Sequence, residues 1–234
     1  MIKKNKHIVV IMRHGERADF KGLTPKFGAN DPELTKHGEE QAVIAGKMIS
    51  KQLEEQKIDK DNSKIQIYSS PFVRTLQTSR GVLKGIKTAN VFTISDTINV
   101  DCNLCEHINY EFDDYPKNFL NILHKTQIFT NEFSNDKLNL VSTFDILPNR
   151  TESDSACTQR FTKYFNWKIP ELLKSEFNIT ILVSHATPVS EMNMLLNYPS
   201  HTGWWDVSYC QSFYYEISPD TKESKYITKV IPPQ

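Results

Sequence analysis

The sequence predicts an α/β fold, a three-layer sandwich around a mostly parallel central sheet. Three observations predict it. Residues 7–12 and 179–183 are continuous apolar runs rich in β-branched side chains, the pattern of strands buried on both faces. Strand-like and helix-like segments alternate along much of the chain, the order of a sheet covered by helices. Polar segments carrying arginine and histidine follow the apolar runs directly, where open α/β sheets bind their ligands.

Taken in order, residues 7–12 (HIVVIM) form a first strand that stops at the charged segment RHGERAD. After a loop rich in Gly, Pro and Asn, Thr35 is placed to cap a helix. In that helix Ala42, Gly46, Ile49 and Leu53 recur on one face, and KQLEEQK is its solvated end. Residues 64–68 alternate as a second strand. SSPFVRTLQTSRGVL then starts a helix with Pro71 in its first turn, where a missing amide is tolerated. Residues 91–95 read as a third strand. Between Glu106 and Pro148 the periodicity weakens, and residues 107–150 are expected to form an irregular, substrate-shaping insertion with some short helix. A helix over 152–174 should kink or break near Pro170, which lacks an amide hydrogen. Residues 179–183 form a fourth strand, followed by SHATP and a helix through Met192 and Leu196. The runs 212–217 and 226–231 complete the sheet, with an antiparallel strand expected at an edge. No internal repeat or low-complexity linker interrupts the pattern, so residues 1–234 are read as one domain.

Composition excludes several roles. Lys plus Arg equals Asp plus Glu at 28 each, so no net field gathers nucleic acid or anionic membrane, and any bound anion needs a local cluster. The N-terminal apolar run ends at Arg13, too short for a signal-peptide core, and no segment approaches the roughly 20 apolar residues of a membrane helix. Four cysteines (Cys102, Cys105, Cys157, Cys210) are sparse for this length and point to thiols in a reducing, cytoplasmic compartment. Cys102, Cys105 and His107 have metal-like spacing, but a closed zinc site needs four ligands and no second CxxC appears, so neither metal nor cofactor is expected. Oligomeric state is left open, with a homodimer as one option.

The strand-end rule brings Arg13, His14 and Arg17, the segment 69–74 with Arg74, and Ser184 with His185 to one crevice. Converging guanidinium groups match a dianion, and phosphate fits their donor forks best. An imidazole, neutral for much of the time near pH 7, can attack phosphorus and carry the phosphoryl group before water takes it. Phosphoryl transfer needs positioning and charge neutralisation, which arginines supply without a metal.

These segments resemble the histidine phosphatase superfamily, the phosphoglycerate mutase-like proteins. IVVIMRHGER resembles its strand and RHG signature, LTKHGEEQA its LTxxGxxQA helix start, SSPFVRTLQTS its SPxxRxxQT segment and LVSHATP its second-histidine turn. The resemblance implies that Arg13, Arg17 and Arg74 bind phosphate and that His14 is the nucleophile. It also implies that His185 stabilises the transferring group and that Glu106, in NLCEHINYE, protonates the leaving oxygen. Mutases typically carry Ser or Thr at the position of Arg17 and Asn at that of Phe20. Secreted acid phosphatases and phytases usually have Pro at Asp19 and a His-Asp pair where His185 and Ala186 stand. RHGERADF is instead similar to the phosphatase domains of suppressor of T-cell receptor signalling proteins and to ecdysteroid-phosphate phosphatases. Ala186 replaces the Gly that generally follows the second histidine, which predicts a more crowded turn. The expected activity is metal-independent hydrolysis of a phosphomonoester, either phosphotyrosine or a small molecule, through phosphohistidine. The alternatives are a mutase-type phosphotransferase and a non-catalytic phosphate-binding module.

Plainer readings stand beside these. Arg17 could be a loop partner of Asp19 or Glu16. Glu111, Asp113 and Asp114 compete with Glu106, and His37 reads as exposed. Phe20, Tyr110, Phe112, Tyr115, Trp204 and Trp205 could line an apolar mouth or belong to the core.

Overall fold

The computed structural model describes residues 6–27, 31–108, 137–141, 152–200, 203 and 206–234. Its centre is a seven-stranded sheet in the order β4-β3-β2-β5-β1-β6-β7. The strands are β1 (His7–Arg13), β2 (Lys64–Ser69), β3 (Thr93–Val100), β4 (Lys137–Leu140), β5 (Ile179–Ser184), β6 (Ser212–Ile217) and β7 (Ser224–Val230). All pairings from β4 across to β1 are parallel. β6 runs antiparallel to β1, and β7 antiparallel to β6. The expected α/β sandwich and its antiparallel edge are therefore both present.

The pleat of β1 explains the three layers, because successive side chains point to opposite faces. Ile8, Val10 and Met12 pack with Ala42, Ala45, Ile49 and Leu53 of α1 (Lys36–Glu55) and Val82, Leu83 and Ile86 of α2 (Val73–Ala89). Val9 and Ile11 pack on the other face with Cys157, Phe161, Tyr164 and Phe165 of α3 (Asp154–Leu172) and Val189 and Met192 of α4 (Ala186–Leu195). On the first face α1 and α2 meet backbone to backbone. A Cβ on Gly46 would strike the Val82 carbonyl, and one on Gly85 the Val43 carbonyl.

Several boundaries differ from the sequence expectation. Thr35 caps α1 as predicted, accepting the Gly38 amide at 2.9 Å. Pro71, however, precedes the helix: Phe72 is the N-cap of α2, and the Val73 amide is taken at 2.9 Å by Asp31, a cap supplied from another loop. β3 covers Thr93–Val100, beyond the expected end at residue 95; its pairing with β2 has one irregularity, and its Asp96 meets Lys87 at 2.5 Å. α3 continues through Pro170 to Leu172 without a break. The bond that Pro170 cannot donate would fall on Asn166, an exposed position where water can substitute. β4 is a strand inside the range expected to be irregular, while most of 107–150 lies outside the described residues.

Candidate active site

Order in the sheet places the carboxyl ends of β2, β5 and β1 side by side, and every predicted site residue comes from them or from a loop anchored to them. Arg13 closes β1 and His14 follows it, its amide bonded to the Ser184 carbonyl at 3.0 Å. Arg74 lies in the first turn of α2, and His185 is the N-cap of α4. Two helix N-termini thus point at the site, and their dipoles favour an anion there.

The His14 imidazole is 1% exposed, and its Nδ1 lies 2.7 Å from the Gly15 carbonyl oxygen. A carbonyl only accepts, so Nδ1 carries the hydrogen and Nε2 keeps its lone pair. Burial, reinforced by Arg74 and Arg13, holds the His14 pKa well below the ordinary imidazole value. The ring is therefore neutral at physiological pH, as a nucleophile must be. His185 stands edge-on to it, with ring centroids 5.3 Å apart. The His185 Nε2 lies 2.8 Å from the Ser70 hydroxyl, and Nδ1 lies 3.4 Å from a Glu106 carboxylate oxygen. Proximity to Glu106 would favour a charged ring, but burial and the arginines push the other way and keep its pKa well below the usual value. A bound dianion would reverse the arginine contribution.

Arg74 is 1% exposed. Its Nη2 lies 3.7 Å from Glu106 and its Nη1 3.7 Å from Asp31. Burial and then Arg17 lower its pKa to about 10, which leaves it charged at neutral pH. Arg13 donates Nη1 to the Val207 carbonyl at 2.6 Å and stacks 4.3 Å above the Tyr209 ring. Arg17 pairs with Asp19 through Nε at 3.0 Å and Nη2 at 2.5 Å, and stacks 4.3 Å over Phe20. The loop ion pair considered for Arg17 is present, yet its charge still bears on both imidazoles.

The buried Nε of Arg13, Nε and Nη1 of Arg74, and Nδ1 of His185 make no hydrogen bond among the described residues. Buried donors are seldom left without partners. Unmet donors on two guanidinium groups beside the His185 ring are what a bound anion would satisfy.

The structure also gives work to motif residues to which the sequence assigned none. The Thr78 hydroxyl accepts the Gly15 amide at 3.0 Å, Gln41 accepts the Glu16 amide at 3.1 Å, and Gln77 accepts the Leu34 amide at 2.8 Å. Gly38 lets α1 approach this loop, since a Cβ there would sit 2.8 Å from the Glu16 nitrogen. These side chains fasten the loop that presents His14. Ser70 and Tyr209 were likewise missed; the Tyr209 ring lies 6.0 Å from that of His14. Ser70, Gln41, Gln77 and Thr78 stand inside quoted motifs, which was the available signal, whereas Tyr209 stands outside all of them and gave none. Ala186 is accommodated without strain, for it begins α4 and has no positive φ.

His37 is exposed, as expected. Glu111, Asp113, Asp114, Tyr110, Phe112, Tyr115, Trp204 and Trp205 lie outside the described residues. All four cysteines are buried thiols in no disulfide. Cys102 and Cys105 do not join His107 in a ligand cluster; His107 instead lies with Glu152 and Cys157, their ligand atoms within 4.8 Å of one another. That cluster is unsuited to a cation. The Arg160 guanidinium holds both Glu152 oxygens, and His107 Nε2, 3.1 Å from the Glu152 carbonyl, must carry a hydrogen. No helix among the described residues is long and apolar enough to cross a membrane.

A family model described as "Histidine phosphatase superfamily (branch 1)" matches residues 9–227. No curated protein matches the chain. Among solved structures, a phosphoglycerate mutase from Bacillus anthracis str. Sterne aligns with TM-score 0.60 at 14% identity, covering 96% of this chain and 93% of that one. A putative alpha-ribazole-5'-P phosphatase from Escherichia coli str. K-12 aligns with TM-score 0.54 at 18% identity, covering 95% and 96%. Phosphoserine phosphatase from Entamoeba histolytica, in complex with 3-phosphoglyceric acid, aligns with TM-score 0.52 at 18% identity, covering 95% of each chain. At these identities the neighbours speak to the fold.

Proposed function

Because the chain belongs to the histidine phosphatase superfamily, we propose that it hydrolyses phosphomonoesters through a phosphohistidine at His14, without a metal. The observation that carries this reading is the neutral His14 ring with Nδ1 committed to the Gly15 carbonyl and Nε2 available, beside a set of unmet buried donors. Arg13, Arg74 and His185, with Arg17 through Nη1, hold the phosphoryl oxygens and offset their charge. Nε2 attacks phosphorus as the bond to the leaving oxygen breaks, and Glu106 gives that oxygen a proton. The Gly15 carbonyl then steadies the charged phosphoimidazole through Nδ1–H. Water attacks the phosphohistidine, Glu106 takes a proton from it, and inorganic phosphate leaves with His14 restored.

Glu106 is favoured as the acid by its contacts: one carboxylate lies near both Arg74 and His185. Phe20, 63% exposed and stacked on Arg17, and Tyr209 beside Arg13 support a substrate whose leaving group is aromatic or apolar. That agrees with the likeness of RHGERADF to the suppressor of T-cell receptor signalling phosphatase domains, with phosphotyrosine or a small phosphorylated molecule as substrate. Four buried thiols in no disulfide support a reducing, cytoplasmic setting.

The test is phosphate release from p-nitrophenyl phosphate in EDTA, with His14→Ala as control. The reading predicts full activity in EDTA and none in the variant. Undiminished turnover by His14→Ala, or transfer of phosphate between positions of a sugar acid faster than its release to water, would overturn it.

A further inference from the structure

We propose that Arg160 positions Glu106 for proton donation by holding its backbone; this rests on the assignment of Glu106 as general acid. Glu106 lies in no helix or strand. It follows a single 3-10 turn, Cys102–Leu104. A loop residue in such a place is ordinarily mobile, whereas a catalytic group has to be held to within about 0.5 Å.

The near end of the loop is fixed to the sheet. The Asp101 amide donates to the Ser69 carbonyl at 2.8 Å, and the Ser184 hydroxyl to the Leu104 carbonyl at 2.7 Å. The far end is held by α3. Arg160, 4% exposed, donates Nη1 to the Asn103 carbonyl at 2.8 Å and the Cys105 carbonyl at 3.3 Å, and Nη2 to the Glu106 carbonyl at 3.2 Å. Its other edge grips Glu152, with Nε 3.1 Å from Oε2 and Nη2 on Oε1. Glu152 closes the bracket: its amide donates to the Ile108 carbonyl at 2.6 Å, and Oε1 accepts the Ile108 amide at 3.4 Å.

Stability alone is a weak reason for such a pair, because the desolvation of two buried charges offsets most of their attraction. What a guanidinium adds is geometry, several donors fixed in one plane. Burial opposes the Arg160 charge, and Cys105 and Glu152 more than offset it. Burial pushes the Cys105 thiol up to about 12, so the partner that matters at working pH is Glu152, whose two carboxylate oxygens the fork holds. The fork therefore stays charged and planar at working pH, and the Glu106 carboxylate is left unencumbered by the anchoring.

The experiment uses the full chain with Arg160→Lys, which keeps a cation but loses the fork. The readout is kcat/KM for p-nitrophenyl phosphate relative to phenyl phosphate, a constant that includes every step through departure of the leaving group. Phenolate, with a pKa of about 10 like tyrosine, depends on a donated proton far more than p-nitrophenolate does. The ratio is taken within one sample, so it does not depend on how much of the variant is folded. We expect it to rise about tenfold in Arg160→Lys, in the same direction in Glu152→Gln, and by about 10²-fold in Glu106→Gln, where the acid itself is gone. Equal losses on both substrates in Arg160→Lys and Glu152→Gln, or an unchanged ratio, would reduce Arg160 to a structural role and overturn the proposal. An unchanged ratio in Glu106→Gln would overturn the general-acid assignment beneath it, and inactivity of His14→Ala on both substrates reports separately on the nucleophile.

Discussion

Replacing Thr78 with valine, nearly the same shape without the hydroxyl, isolates the device that presents His14. Thr78 is fully buried, and its Oγ1 accepts the Gly15 amide at 3.0 Å while donating to the Arg74 carbonyl at 2.6 Å. In Thr78→Val the buried Gly15 amide loses its acceptor, which costs about 1–3 kcal/mol. For a chain of this size that lowers Tm by about 2–4 °C per kcal/mol. The same residue carries, in its following peptide unit, the carbonyl that fixes His14 Nδ1 at 2.7 Å. If it rotates to find a new partner the imidazole turns with it, and a displacement near 1 Å can cost about 10² in rate. Calorimetry and p-nitrophenyl phosphate kinetics should therefore show Thr78→Val less stable and about 10- to 100-fold slower in kcat/KM. Thr78→Ser, which keeps the hydroxyl, should retain most of both. A Thr78→Val protein with the parental Tm and the parental kcat/KM would refute the idea that this hydroxyl holds the loop.

Two pH dependences follow. Since His14 is held well below the ordinary imidazole pKa, the kcat/KM profile of the wild type should show no protonation of His14 near pH 6.5; an acid limb centred there that moves to higher pH when an arginine of the cluster is replaced would contradict it. At the opposite end of the sheet His7, buried beside the Thr180 hydroxyl at 2.9 Å, has its pKa lowered by desolvation to about 4. The unfolded chain then takes a proton below about pH 6.5 that the folded chain refuses until about pH 4, so stability falls across that window, by at most about 3 kcal/mol. Urea unfolding at pH 7 and pH 5 should show a smaller loss for His7→Gln than for the parent.

The parts of the fold that were legible in sequence are those whose physics is local. β1 and β5 are buried on both faces and so read as unbroken apolar runs, and Thr35 announces α1 because its cap is satisfied three residues on. The start of α2 was misplaced because its cap comes from Asp31, distant in sequence. β4 escaped notice as a four-residue edge strand, half exposed and without a buried face to impose a pattern. At the site, Arg13, His14, Arg74 and His185 were readable because each ends a strand or opens a helix where ligands bind. Gln41, Gln77 and Thr78 stood in the same motifs, but their partners are backbone amides of another segment, which spacing does not reveal. Arg160 gave no signal at all, since within α3 it looks like any other cation of an amphipathic helix.

The most direct test of the account is to trap the enzyme during turnover under alkaline quench and map the phosphorylated residue by mass spectrometry, with isomer standards for the two ring nitrogens. The account predicts phosphate on His14 at Nε2, because Nδ1 is committed to the Gly15 carbonyl. Phosphate on Nδ1, on another residue, or on no residue of an enzyme that is turning over would contradict it.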